Sequence, residues 1–106
     1  MGKKPTGTIE KNRKLGIKMR IGIISGYFNP LHTGHLDYIE SANKECDLLY
    51  VIVNSDEQVR IKGSEPFMDE ESRLRIIKAL QSVNRALIAK DDDGTVVKSI
   101  EWIYNW

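Results

Sequence analysis

Residues 20–35, RIGIISGYFNPLHTGH, carry the clearest indication of how this chain folds. Arg20–Ser25 form a short run rich in isoleucine that Gly26 ends, which predicts a buried β-strand. The residues that follow, Gly26–Pro30, include several types that form turns, and a helical pattern begins at about Gly34. The stretch therefore predicts a strand, a tight turn and a helix in direct succession.

The rest of the chain continues this alternation of strands and helices. Leu48–Val53 are continuously apolar, as expected for a parallel strand that is covered on both faces. Asp69 is a candidate N-cap for a second helix, and Arg85–Ala89 form a third candidate strand. A last amphipathic helix begins near Val96. This alternation predicts an α/β fold, a Rossmann-like parallel sheet with right-handed crossovers and helices on both faces.

The predicted sheet is thin, because three strands are few for a doubly wound domain. The sequence stops at Trp106, directly after a helix, and the first strand would present an apolar edge without a partner. We therefore expect either that another segment pairs with this edge or that the domain is incomplete at its C-terminal end. We also expect a homo-oligomer, because an exposed sheet edge favours association.

The composition is that of an ordinary globular protein, with 41% hydrophobic and 29% charged residues in a chain of 106. No apolar run approaches the roughly 20 residues that span a bilayer, and the N-terminus lacks an apolar signal segment. We therefore expect a cytoplasmic protein without a membrane partner. Cys46 is the only cysteine, which excludes an intrachain disulfide, and its apolar surroundings favour a buried inert thiol over a reactive nucleophile.

Charge is unevenly distributed along the chain, although the net charge is only +1. Residues 1–18 carry six basic side chains and one acidic side chain, Glu10, so the remainder is acidic. A basic arm of this kind could bind nucleic acid electrostatically. The interpretation that we favour is a disordered leader or an artificial extension, followed by an α/β domain at residues 19–106 with Met19 as a natural start. A nucleic acid partner is therefore not expected.

The turn after the first predicted strand is the candidate binding site. Ligands of open α/β sheets bind beyond the carboxyl ends of the strands, where this turn lies. Gly26 lets the backbone leave the strand tightly, and Gly34 removes a side chain where a helix begins. Backbone N–H groups and the partial positive charge at a helix start favour an anion. The turn therefore predicts a phosphate-binding site.

Two histidines, His32 and His35, are three residues apart and so lie on one side of the first helical turn. Imidazoles in this position can donate hydrogen bonds to phosphate oxygens. Donors of this kind suit in-line attack on an α-phosphate with loss of pyrophosphate, because they stabilise the charge on its equatorial oxygens. Metal ligation and ordinary surface positions are the alternatives.

The stretch Gly26–His35 resembles the G-x-F-[D/N]-x-x-H-x-G-H signature of the cytidylyltransferase-like nucleotidyltransferases. The continuation from Tyr38 to Val59, and then Lys62-Gly63, is similar to glycerol-3-phosphate cytidylyltransferases and to the adenylyltransferase domain of heptose-phosphate enzymes. The resemblance runs from Arg20 to about Ala89, which is two-thirds of the chain.

The resemblance implies transfer of CMP or AMP from CTP or ATP to a phosphorylated small molecule, with magnesium on the triphosphate and release of pyrophosphate. It also implies a role for Arg73, which serves either the substrate or the local structure. The residues that it assigns to catalysis are His32, His35 and Lys62, and those that it assigns to nucleotide or phosphate binding are Gly26, Tyr27, Phe28, Asn29, Thr33, Gly34 and Arg73.

The chain also departs from this family. Asn29 stands where many relatives carry aspartate, and Ser64 stands where cytidylyltransferases carry a second lysine. A later Gly-x-Asp strand and a Ser-Thr-Thr-type motif are absent, and Asp91–Asp93 are expected to be an exposed acidic turn that caps the next helix rather than a metal site. A nucleotide-binding module or truncated domain without turnover is therefore the alternative function.

Overall fold

The computed structural model describes residues 7–12 and 18–105, and its strands form a single sheet in the order β1-β2-β3-β4. β1 and β2 pair antiparallel, whereas β2–β3 and β3–β4 pair in parallel. The strands are β1 (Gly7–Asn12), β2 (Lys18–Gly26), β3 (Leu48–Val53) and β4 (Arg85–Ile88). The helices are α1 (Thr33–Lys44), α2 (Asp56–Ile61), α3 (Glu70–Lys78) and α4 (Val97–Tyr104).

Helices cover both faces of the sheet, which confirms the predicted α/β architecture. Side chains of β3 alternate between the faces: Val51 packs on the side of α1 and α3, and Ile52 packs on the side of α4. Ile77 of α3 and Ile103 of α4 are fully buried in these two layers. Both faces of β3 are therefore apolar because each packs against a layer of helices. The strand has the boundaries that the sequence predicts.

Short polar side chains set where the helices begin. The Asp69 carboxylate accepts a hydrogen bond from the Ser72 N–H at 2.8 Å, which confirms the predicted cap of α3. The Ser55 hydroxyl accepts from the Gln58 N–H at 3.1 Å and begins α2, a helix that was not predicted from the sequence. Six residues are too few to show helical periodicity, but Ser55-x-x-Gln58 is a capping-box signal.

Strand β1 corrects the expectation of a disordered leader for residues 7–12. Its backbone pairs along β2, with Gly7 opposite Ile23 and Asn12 opposite Lys18. The outer edge of β2 would otherwise present a row of unpaired N–H and C=O groups, and β1 satisfies them. The expected edge partner therefore comes from the N-terminal side of the chain. The parts of the leader prediction that concern residues 1–6 and 13–17 lie outside the described residues.

Within the described part of the chain, no helix is both long enough and apolar enough to cross a bilayer.

Two adjacent isoleucines of α3 differ in burial and therefore test which face of this helix packs on the sheet. Ile77 is 0% exposed and Ile76 is 37% exposed. We expect Ile77→Ala to lower the free energy of unfolding by about 2–4 kcal/mol, because it leaves a cavity against β3. Ile76→Ala is the matched control and should cost less than about 1 kcal/mol. Urea unfolding measures both values, and equal losses would contradict this packing.

Candidate functional site

The turn after β2 is anchored by Phe28, whose ring packs back over Gly26. Phe28 is buried and has a left-handed backbone with φ of 49°. A Cβ atom at Gly26 would lie 2.5 Å from Cζ of Phe28, so only glycine leaves room for the ring. The structure thus places the Phe28 side chain in the core and gives Gly26 a packing role. The assignment of Phe28 to phosphate binding stays a prediction.

The two histidines cap helix α1 reciprocally. His32 Nδ1 accepts from the Gly34 N–H at 3.1 Å, and His35 Nδ1 accepts from the His32 N–H at 3.1 Å. Their rings stack with centroids 3.8 Å apart, and a Cβ at Gly34 would lie 2.9 Å from Cε1 of His32. Gly34 is therefore needed so that one imidazole can lie over the helix start.

This capping fixes how each neutral imidazole carries its proton. A nitrogen that accepts a hydrogen bond has no proton, so the proton of each neutral ring resides on Nε2. Burial, and to a lesser extent the charge of His32, lower the pKa of His35 below its ordinary value of 6.5. His35 is therefore neutral at pH 7. The pair leaves two Nε2–H donors at the start of α1, which is the arrangement that phosphate recognition needs.

The backbone amides at this helix start are partly used within the protein. The Gly34 N–H bonds to His32 Nδ1, and the His35 N–H bonds to the His32 carbonyl oxygen at 3.0 Å. Gly34 therefore supplies space for the imidazole rather than the free amide that the sequence analysis expects. Thr33 is exposed at the first position of α1, where an N–H group has no partner within its helix.

Lys62 lies beside the same turn. It is the C-cap of α2, and its Nζ is 4.2 Å from the centroid of the Tyr27 ring. Gly63 follows in the left-handed region with φ of 95°. The structure therefore brings the predicted catalytic lysine to the turn that carries the two histidines.

Asn29 joins the turn to the loop between α2 and α3. Its amide donates to the Glu65 carbonyl oxygen at 2.9 Å, and its Oδ1 accepts from the Phe67 N–H at 2.6 Å. Both ends of the amide are thus engaged with backbone. These hydrogen bonds give Asn29 a role in holding the two loops together, and its phosphate contact stays a prediction.

Arg73 is buried beneath the site, with 1% of its surface exposed. Its guanidinium donates to the carbonyl oxygens of Tyr27 at 2.9 Å, Asn54 at 2.6 Å and Met68 at 3.0 Å, and to the Asp56 carboxylate at 2.7 Å. Of the two roles that the sequence analysis leaves open, this geometry supports the structural one. The assignment of Arg73 to phosphate binding is corrected, because the side chain is enclosed and its donors are engaged.

Gln58 is a second buried organiser, which the sequence analysis missed. Its Oε1 accepts from the Asn54 side chain and the Ser55 N–H, both at 3.0 Å. Its Nε2 donates to the carbonyl oxygens of Asp93 and Thr95, both at 2.8 Å. Gln58 therefore connects the loop after β3 to the loop after β4. The capping box that it forms with Ser55 was the available signal.

The three aspartates after β4 divide into one buried and two exposed side chains. The Asp91 carboxylate accepts from the backbone N–H groups of Lys98 at 2.7 Å and Ser99 at 3.0 Å, and from the Ser99 hydroxyl. This confirms the predicted capping of the next helix. Asp92 and Asp93 are exposed as expected, but Asp91 is buried because it fills the cap.

Cys46 lies partly buried after α1, and its thiol donates to the Ala42 carbonyl oxygen at 3.4 Å. Burial raises the pKa of this thiol, which keeps it protonated at neutral pH. The placement agrees with the favoured interpretation of an unreactive thiol.

These features define the class of protein. A parallel α/β sheet carries a histidine-capped turn after β2 and a lysine beside it. A family model described as cytidylyltransferase-like matches residues 23–106. The chain belongs to this family, as the motif resemblance predicts.

Individual relatives agree with this family. The chain is 38% identical over 69 residues to an FAD synthase of Thermoplasma acidophilum, and this alignment covers 65% of the chain and 49% of that relative. It is 40% identical over 88 residues to the bifunctional protein HldE of Hyphomonas neptunium, and this alignment covers 81% of the chain and 18% of that relative. The chain thus spans about half of the first relative and less than a fifth of the second.

A solved structure also resembles the fold. The crystal structure of a lipopolysaccharide core biosynthesis protein from Thermoplasma volcanium matches with a TM-score of 0.71 and 34% identity. The match covers 78% of this chain and 66% of that one.

The buried contacts of Arg73 predict a large effect of a conservative change. Arg73→Lys should lower the free energy of unfolding by about 3 kcal/mol, because one ammonium cannot serve the four acceptors of the planar guanidinium. Arg75→Lys on the exposed side of the same helix is the matched control and should change stability by less than about 0.5 kcal/mol. Urea unfolding measures both changes, and an Arg73→Lys variant with nearly the stability of the parent protein would contradict the structural role of Arg73.

The pKa of His35 predicts how stability depends on pH. Because this pKa is lower in the folded protein than its ordinary value of 6.5, the unfolded chain binds more protons as the pH falls. The free energy of unfolding should therefore decrease below about pH 6.5. His35→Asn is the control, since its Oδ1 can replace the capping Nδ1 without titrating. Unfolding curves at pH 7.5 and 5.5 that shift equally for both proteins would refute this linkage.

Proposed function

We propose that this chain carries the catalytic site of a nucleotidyltransferase. The reaction is transfer of CMP or AMP from CTP or ATP to a phosphorylated small molecule, with release of pyrophosphate. The observation that supports it most is the stacked pair of His32 and His35, whose mutual capping leaves two Nε2–H donors at the start of α1. Membership of the cytidylyltransferase-like family supports the same reaction class.

The proposed chemistry requires positioning and charge stabilisation rather than proton transfer. An oxygen of the acceptor's phosphate, already ionised, forms a bond to the α-phosphorus, while the bond to the bridging oxygen breaks and pyrophosphate leaves. His32 and His35 donate to the oxygens on which negative charge accumulates. Lys62, whose ammonium lies beside the turn, neutralises further phosphate charge. No general base is needed.

Magnesium enters this proposal as part of the triphosphate substrate. Across residues 7–12 and 18–105, no three histidine, cysteine or acidic side chains are grouped to hold a metal ion. Asn29, the residue that replaces the family's aspartate, has both ends of its amide engaged with backbone. We therefore place magnesium on the triphosphate and assign no catalytic step to a resident ion.

Two substitutions favour testing ATP beside CTP. By the motif resemblance, an asparagine in the place of Asn29 also occurs in related adenylyltransferases, and Ser64 stands where cytidylyltransferases carry a second lysine. The product for which the FAD synthase relative is named contains an adenylyl group. The acceptor, a cytoplasmic location and a homo-oligomeric state stay predictions.

The experiment separates the donor role of His35 from its capping role. His35→Asn keeps an acceptor for the His32 N–H but lacks the Nε2–H donor. We expect it to fold with a similar thermal midpoint and to release pyrophosphate about 100-fold more slowly or worse. Lys44→Met, at the exposed end of α1, is the control for a surface change.

The assay measures pyrophosphate release from CTP and from ATP with a panel of sugar and alcohol phosphates and flavin mononucleotide. Turnover that is unchanged in His35→Asn would refute the mechanism. Calorimetric binding of a triphosphate without release of pyrophosphate would instead favour a nucleotide-binding module.

A further inference from the structure

The backbone of Lys62 is held in place by the end of helix α2. The Gly63 N–H donates to the Arg60 carbonyl oxygen at 2.9 Å, and the Ser64 N–H donates to the Val59 carbonyl oxygen at 3.1 Å. These two hydrogen bonds form a Schellman motif, which closes the helix and fixes the direction in which the Lys62 side chain leaves it. The position of the ammonium then depends on the side chain alone.

The ammonium of Lys62 rests on the face of an aromatic ring. Its Nζ is 4.2 Å from the centroid of Tyr27, and no described carboxylate within residues 18–105 forms an ion pair with it. Glu65, three residues further on, lies 3.9 Å from Arg60 instead. Tyr27 is therefore the group that holds this cation next to the histidine-capped turn.

Tyr27 is itself held from below. Its carbonyl oxygen accepts from the buried Arg73 guanidinium at 2.9 Å, and its neighbour Phe28 is anchored in the core. The backbone from which the ring projects is thus held in place beside an otherwise exposed lysine. A lysine side chain loses up to about 2 kcal/mol of rotamer entropy when it is ordered, so holding it beforehand reduces what a ligand must supply.

We propose that Tyr27 is a positioning residue that holds the Lys62 ammonium ready for the triphosphate, a role that rests on the proposed function. An aromatic face attracts an ammonium less strongly than a phosphate does, so the cation can move from the ring to the incoming polyanion. A carboxylate in the place of the ring would compete with the phosphate for the same cation. The direct phosphate contact that the resemblance implies for Tyr27 stays a prediction, and the positioning role is proposed beside it.

A double-mutant cycle on the full chain tests this coupling, with calorimetric binding of inorganic tripolyphosphate as the measurement. Tyr27→Leu should weaken binding about three- to tenfold, whereas Tyr27→Phe should stay within about twofold of the parent protein. In a Lys62→Met background, Tyr27→Leu should have no further effect. Equal effects of Tyr27→Leu in both backgrounds would overturn the proposal.

A variant that changes the electron density of the ring but keeps its shape separates the cation–π contact from an effect on folding. Tyr27→4-cyanophenylalanine keeps the ring but withdraws electron density from its face, and it should weaken tripolyphosphate binding relative to Tyr27→Phe. Equal affinities of these two variants would overturn the proposal.

The same measurements separate this inference from the proposed function. If the cycle is additive but His35→Asn still abolishes pyrophosphate release, only the role of Tyr27 fails. If tripolyphosphate does not bind the parent protein, the inference about Tyr27 fails, and the pyrophosphate-release assay alone decides the proposed function.

Discussion

The guanidinium of Arg73 lies between the turn after β2 and the turn after β3, and donates to a backbone carbonyl oxygen in each. An enclosed cation is tolerated only when its donors are engaged, and here the Asp56 carboxylate and a third carbonyl oxygen complete the set. Gln58 extends the same polar network to the loop after β4. The carboxyl ends of all three parallel strands are therefore fixed relative to one another, which is what a ligand site at this edge of the sheet requires.

The histidine pair shows how one arrangement can serve both structure and chemistry. Each Nδ1 satisfies a backbone amide at the start of α1, and the same hydrogen bonds determine that each neutral ring keeps its proton on Nε2. The cap therefore prepares the donors before any ligand arrives. Because the pKa of His35 is lowered, its donor stays a neutral N–H near pH 7, and we infer that it stabilises charge without itself changing protonation state.

The sequence predicted those features that depend on local pattern. The apolar run of β3, the Asp69 cap and the Gly26–His35 motif were each visible in a few consecutive residues. It did not predict the structural contacts of Phe28, Asn29 and Arg73, because their side chains contact residues far away in the chain. Strand β1 was missed because pairing with a sheet edge leaves little signal in the strand that pairs.

The proposed chemistry depends on two imidazole Nε2–H donors that the turn after β2 presents to a triphosphate. Nitrogen-15 NMR of the imidazole rings at pH 7, with and without ATP or CTP, measures both where the ring protons lie and how the rings respond to the ligand. We expect both rings to carry a proton on Nε2, His35 to carry none on Nδ1, and the Nε2 signals to shift when one of the triphosphates is added. A proton on Nδ1 of His35, or Nε2 signals that neither triphosphate changes, would refute this arrangement.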